Sequence, residues 1–170
     1  MNPVLVGNII FFVGAMIMIL TGFIQTKKRI LAAQCVQFTI MGIGQVFLGG
    51  TSGLISNIVS ILRNLICMRW EYKAFHKYIF MAVQIGLTLL IMPTGIIGWL
   101  PTVAVCLFTW FLDTRSEVLL KVIIILCQFL WIVYDASILN FTGLVLDAVT
   151  VFTNVAGIVM LKKAAKAEKI

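Results

Sequence analysis

Seven apolar runs follow one another along the chain, each close to the length of a bilayer-spanning helix and parted from the next by a short polar break. They cover approximately Val4–Ile24, Ile30–Leu48, Ser52–Met68, Tyr78–Met92, Gly95–Leu112, Val118–Tyr134 and Phe141–Leu161. A spanning helix needs about 20 mostly apolar residues. Seven of them with short loops use up the 170 residues and leave no room for a soluble domain. With 62% of residues hydrophobic and 11% charged, there is too little polar surface to cover a water-facing shell. The expected fold class is therefore an all-α polytopic membrane protein with seven transmembrane helices, and the lipid bilayer is its first partner. Met1-Asn2-Pro3 carry no basic side chain, and the basic cluster follows the first apolar run. A cleaved secretory signal has the opposite order, so the first run is expected to span.

The charges set the orientation. Basic residues collect at Lys27, Lys28 and Arg29, at Arg69, Lys73 and Lys77, at Arg115 and Lys121, and at Lys162, Lys163, Lys166 and Lys169. These are twelve of the 13 Lys and Arg, and they fall in alternate loops. Cytoplasmic loops collect Lys and Arg, so the N-terminus is expected outside and the C-terminus in the cytoplasm. The net charge of +7 has the same origin, and nucleic acid is not an expected partner.

An internal repeat is also legible. Phe23-Ile-Gln-Thr-Lys-Lys-Arg-Ile-Leu31 aligns with Phe111-Leu-Asp-Thr-Arg-Ser-Glu-Val-Leu119 at an offset of 88. Ser52-Gly-Leu-Ile-Ser-Asn57 aligns with Thr142-Gly-Leu-Val-Leu-Asp147 at an offset of 90, which also sets Asn64 against Asn154. Helices one to three then correspond to five to seven, related by an axis along the membrane normal. The expected units are a first three-helix repeat over residues 1–75, a linker helix over 76–94, and a second repeat with a basic tail over 95–170.

This 3+1+3 arrangement of parallel repeats resembles the SWEET sugar transporters, the nicotinamide riboside transporters and the KDEL receptor. Such folds place a solute site between the two triplets. A second resemblance runs through Ser56 to Arg63 and Arg69, Leu100-Pro101 with Thr109-Trp110, Trp131 to Asp135, and Asp147 with Asn154. On these residues the sequence is similar to the YgjV family of bacterial inner membrane proteins. That resemblance implies the bacterial inner membrane and a multi-pass topology, and it implies no activity.

Polar groups are costly in hydrocarbon, so they mark buried or hydrated faces. At 100° per residue, Gln34, Gln37 and Gln45 share a face of helix two with Met41. Ser52, Ser56, Ser60 and Arg63 form a stripe on helix three, flanked by Asn57 and Asn64. Asp147, Thr150 and Asn154 form another on helix seven. These stripes either line a hydrated cavity or join helices by hydrogen bonds. Arg63 lies inside a span, where it either snorkels toward Arg69 or pairs with Asp147, a step of about 9 Å along the axis. Tyr134 and Asp135 are expected at the outer end of helix six, near the surface. Trp110, Trp99 and Trp70 read as interfacial anchors. Trp131 reads either so or as an aromatic wall. The candidate solute or gate residues are Arg63, Asn64, Asn57, Asp147, Asn154, Gln37 and Trp131.

Catalytic patterns are missing from the sequence. His76 is the sole histidine and sits in a loop. The segment Gly49-Gly50-Thr51-Ser52-Gly53 lacks the lysine of a phosphate loop. Cys35, Cys67, Cys106 and Cys127 are widely spaced within apolar runs and read as small buried hydrophobes, without zinc or disulfide roles. No enzyme activity, metal or cofactor is expected. The leading expectation is a transporter of a small polar solute. The other is a non-transporting receptor or assembly protein, and self-association into a homo-oligomer stays open under both.

Overall fold

The computed structural model describes residues 2–21, 27–70, 73–91, 93, 95–112, 114 and 116–167. These residues form seven α-helices: α1 (Pro3–Thr21), α2 (Lys27–Leu48), α3 (Thr51–Arg69), α4 (Ala74–Ile91), α5 (Leu100–Phe111), α6 (Glu117–Ser137) and α7 (Phe141–Ala167). No strand occurs among the described residues. Helices satisfy every backbone group within one segment, which is what a chain surrounded by hydrocarbon requires. By length and composition α2, α3, α4, α6 and α7 are long and apolar enough to cross a membrane, and Pro3–Ile17 and Ile97–Phe111 are shorter apolar helices.

Burial follows an inside-out pattern. Among the ten largest fully buried side chains only Val59 and Pro101 are apolar, whereas Gln45, Gln84, Asn64, Asn140 and Asp135 are among the rest. Large apolar side chains cover the outside, with Ile96 84%, Leu90 80% and Phe152 75% exposed. In water this would be an aggregating surface. In lipid it is the favourable arrangement.

Helix ends follow local chemistry. Ser116 caps α6 by accepting the Leu119 N–H at 3.2 Å. Pro101 stands at the start of α5, where its missing N–H leaves no bond unmade. The fifth run, expected to be one helix from Gly95, is instead a 3-10 turn at Ile97–Trp99 followed by α5. Helix α4 starts at Ala74, four residues before the expected Tyr78, and α6 continues past Tyr134 to Ser137. Helix α7 runs to Ala167, six residues beyond Leu161. The expected ends of helix one at Ile24 and of helix four at Met92, and part of the aligned pair Phe23–Leu31 and Phe111–Leu119, lie outside the described residues.

Two sharp turns have the same build. Between α2 and α3, Gly49 adopts φ +71° and Gly50 N–H donates to Gln45 O at 2.8 Å. Between α6 and α7, Leu139 adopts φ +58° and Asn140 N–H donates to Asp135 O at 2.9 Å. Both are left-handed helix stops that satisfy orphan carbonyls. Chain neighbours pack as antiparallel hairpins: α1 on α2, α2 on α3, α5 on α6, and α6 on α7. Across the molecule α1 meets α7, α3 meets α5, and α4 lies against both α3 and α5. The apolar core is small and gathers around α5, with Ile55, Val59, Phe80 and Val105 in one cluster and Ala104, Ile123 and Cys127 in another.

Candidate functional site: a polar cavity between the helices

A cavity of about 1080 Å³ lies between α2, α3, α5, α6 and α7. Helix α5 gives it an apolar side through Ala104, Val105 and Phe108. The other walls carry most of the polar residues. Helix α2 contributes Gln34, Gln37 and Gln45, and α3 contributes Asn57, Ser60, Arg63 and Asn64. Helix α6 adds Gln128, Trp131 and Asp135, and α7 adds Asp147, Thr150 and Asn154. The helical spacing that groups these residues in sequence therefore groups them in space. All seven candidate residues, Gln37, Asn57, Arg63, Asn64, Trp131, Asp147 and Asn154, border this one space.

Local bonds fix several of them. Asn64 Nδ2 donates to Gln34 Oε1 at 3.0 Å, which joins α3 to α2. Asn154 Nδ2 donates to Thr150 O at 2.8 Å, and the Thr150 hydroxyl donates to Leu146 O at 2.8 Å. Back-bonding to their own helix leaves the Asn154 Oδ1 and Thr150 Oγ1 lone pairs for other partners. Gln37 Nε2 lies 3.4 Å from Met41 Sδ.

Arg63 is buried, and its contacts run to α5. Nη1 donates to Thr109 Oγ1 at 3.4 Å, and the guanidinium sits 5.3 Å from the centre of the Phe108 ring. Asp147 stands on another wall with Oδ2 buried and without a hydrogen-bond partner. Arg63 thus makes a hydroxyl bond and a cation–π contact with α5. Depth along the axis does not fix azimuth, and the rotation of α3 turns Arg63 toward α5.

The two ends of the cavity differ. At one end the lining includes Arg69 and Trp70, both exposed, so the space reaches the surface beside basic residues. At the other end the lining stops at Gln45 and Asp135, each 1% exposed. That end is tied shut by side chain to backbone bonds. Asn8 Nδ2 donates to Leu139 O at 2.9 Å, and Asn8 Oδ1 accepts the Thr142 N–H at 3.0 Å, joining α1 to α7. The Gly53 N–H donates to Tyr134 Oη at 3.0 Å, joining α3 to α6.

Asp135 and Tyr134 correct the expectation of a near-surface position, because both are buried. The extra turn of α6 and the tight reversal after it fold α7 back over them. Asp135 packs against Gly143, where any Cβ would meet Asp135 Oδ2 and Asn140 Nδ2. Gln45 packs in the same way against Gly53. The Asp135 carboxyl lies beside the amides of Asn140 and Gln45. The alignment is poor, since Asp135 Oδ1, Asn140 Nδ2 and both Gln45 amide atoms make no hydrogen bond.

A separate polar cluster joins α4 to the rest. Gln84 Nε2 donates to Ser56 Oγ at 3.1 Å and Thr102 Oγ1 at 3.2 Å, and Thr88 and Thr102 share a 2.6 Å hydroxyl bond. Here the interhelical-bond reading holds, and of these residues only Ser56 borders the cavity. Sequence reasoning passed over this cluster because α4 has no counterpart in the expected repeat, although Gln84 and Thr88 stand one turn apart. Trp110 is exposed and edge-on to Tyr78, with Lys77 Nζ 5.8 Å from its ring centre. Among the described residues no three His, Cys, Asp or Glu side chains are placed to hold a metal.

A family described as "Imp-YgjV: Bacterial inner membrane protein" matches residues 5–165. No curated protein and no solved structure matches the chain.

Proposed function

The chain belongs to the Imp-YgjV family of bacterial inner membrane proteins, and from that premise we propose that it carries a small polar solute across the inner membrane through the cavity between its helices. The observation that supports this most is the wall chemistry. In a chain this apolar, polar and ionisable residues from α2, α3, α6 and α7 converge on one space of about 1080 Å³, a volume at the upper end of ordinary ligand pockets.

Three features favour movement of two halves about that space. The α2–α3 and α6–α7 turns match residue for residue at an offset of 90: Gln45 with Asp135, Gly49 with Leu139, Gly50 with Asn140, and Gly53 with Gly143. The contacts between the halves, α1 with α7 and α3 with α5, exchange under the same correspondence. The tie at one end is made of a few hydrogen bonds, while the other end reaches the surface. With the N-terminus outside, as the basic residues favour, the open end faces the cytoplasm. Rocking of α1–α3 against α5–α7, with α4 as linker, would open each end in turn.

The test is solute counterflow in proteoliposomes containing the full chain, using a mixed panel of labelled polar metabolites. Uptake that exceeds empty vesicles and is lost in Arg63→Ala is the expected result. A reconstituted, folded protein that moves nothing on the panel would favour a receptor or assembly role.

A further inference from the structure

Five polar atoms at the closed end of the cavity are buried without a hydrogen-bond partner: both amide atoms of Gln45, Asp135 Oδ1, Asn140 Nδ2 and Asp147 Oδ2. One other such atom, Gln84 Oε1, occurs among the described residues. Native interiors hold few of these groups, and each calls for an unseen partner. Here they gather from α2, α6, α7 and the α6–α7 turn. Gln45, Asp135 and Asp147 border the cavity, and the first two are 1% exposed.

The donor and acceptor balance identifies the missing partner. Asp135 and Asp147 lie within electrostatic range of each other. The amides of Asn140 and Gln45 lie beside the Asp135 carboxyl. Two acids so placed stay charged only where a cation joins them. Gln45 Oε1 adds a third acceptor, which suits the three N–H bonds of an ammonium group. The amide donor Gln45 Nε2 would then remain for an oxygen on the same molecule. An alkali ion would occupy the acceptors and leave that donor unmet. Trp131 borders the cavity one helical turn before Asp135 and stands edge-on to Tyr134, with ring centres 5.8 Å apart. An aromatic wall beside acids favours an organic cation.

We infer that the closed end of the cavity is a subsite for the protonated amine of a small oxygen-bearing solute, held by Asp135, Asp147 and Gln45 beside Trp131. The inference rests on the transport reading only in taking the occupant to be the solute carried. Binding stands apart from movement and is measured apart from it.

The experiment titrates the purified full-length protein in detergent with ethanolamine, ethylene glycol, glycolate and sodium chloride. Melting temperature and tryptophan fluorescence are read for each. Ethanolamine should raise the melting temperature and change the fluorescence at concentrations at least tenfold below the other three. Asp135→Asn and Asp147→Asn should each weaken that response at least tenfold, while Gly86→Ala, remote from the cavity, should keep it. The unmodified protein decides the matter even if a variant fails to fold. An equal response to ethylene glycol, glycolate or sodium chloride, or no response to ethanolamine, overturns the subsite. Ethanolamine binding without counterflow of any amine would leave the subsite standing and overturn transport. Counterflow of an anionic or neutral solute with no amine binding would do the reverse.

Discussion

The backbone N–H of Gly53 donates to the phenol oxygen of Tyr134 at 3.0 Å, which ties the first turn of α3 to the last turn of α6. The first amides of any helix lack partners within it, and here a tyrosine from the other half supplies one. Replacing it with phenylalanine leaves that buried donor unmet, at a cost of about 1–3 kcal/mol. Tyr134→Phe should therefore lower the melting temperature in detergent. It should also loosen the closed end, so that a thiol placed at Ser52→Cys, a buried position at the start of α3, reacts faster with a membrane-impermeant reagent applied at that end. An unchanged melting temperature and reaction rate would show that the bond holds nothing shut.

Gly143 gives room to Asp135. Alanine is normally favoured over glycine within a helix by about 1 kcal/mol, yet a Cβ here would run into the Asp135 carboxyl and the Asn140 amide. Gly143→Ala should thus destabilise, by the about 1–3 kcal/mol typical of overpacking. Adding Asp135→Ala removes the obstacle and should recover part of the loss, a coupling seen in a double-mutant cycle of melting curves. At Gly86, where a Cβ meets nothing within 4 Å, alanine should be neutral or stabilising. Equal behaviour at the two glycines would refute the close approach.

The bonds around Thr102 are structural. Thr102→Val removes its 2.6 Å contact with Thr88 and its 3.2 Å bond from Gln84. A loss of about 1–3 kcal/mol is expected, measured as folded yield over a temperature series. Solute uptake per folded molecule should be unchanged, because Gln84, Thr88 and Thr102 lie off the cavity. A variant that folds normally and fails to transport would move this cluster into the functional site.

How much of this was readable in the residues depends on which physical rule carries the information. Hydrophobic run length locates the seven helices, because bilayer thickness sets it. The polar stripes of α3 and α7 point to the cavity because helical periodicity alone decides which residues share a face. Two kinds of fact stayed hidden. The burial of Asp135 depends on a reversal at Leu139, whose φ of +58° is unusual for leucine and carries no glycine or proline signal. Extending the expected repeat by a few residues to set Gln45 against Asp135, as it already sets Gly53 against Gly143, would have exposed it. The partner of Arg63 was hidden because axial depth was legible and helix rotation was not. The split in the fifth run was signalled by Pro101, which favours a helix start over a helix interior.

Arg63 and Asp147 border one cavity from different walls, with Arg63 bonded to Thr109. Single replacements by leucine should each reduce stability, and their effects should add to within about 0.5 kcal/mol. Loss of one member of a direct buried pair would instead cost about 3–5 kcal/mol and be rescued by the double change. Such rescue, read from folded yields of the four proteins, would mean that the two side chains meet.

Passage through the cavity is tested most directly by the reach of a single thiol within it. In a background with Cys35, Cys67, Cys106 and Cys127 replaced by serine or alanine, Asn154→Cys is introduced on the α7 wall. The protein is reconstituted in oriented vesicles, and a membrane-impermeant thiol reagent is applied to each side in turn. The thiol should react from both sides, faster from the side of Arg69 and Trp70, where the cavity is open. A thiol that reacts from one side only, or from neither, would contradict transport through this space.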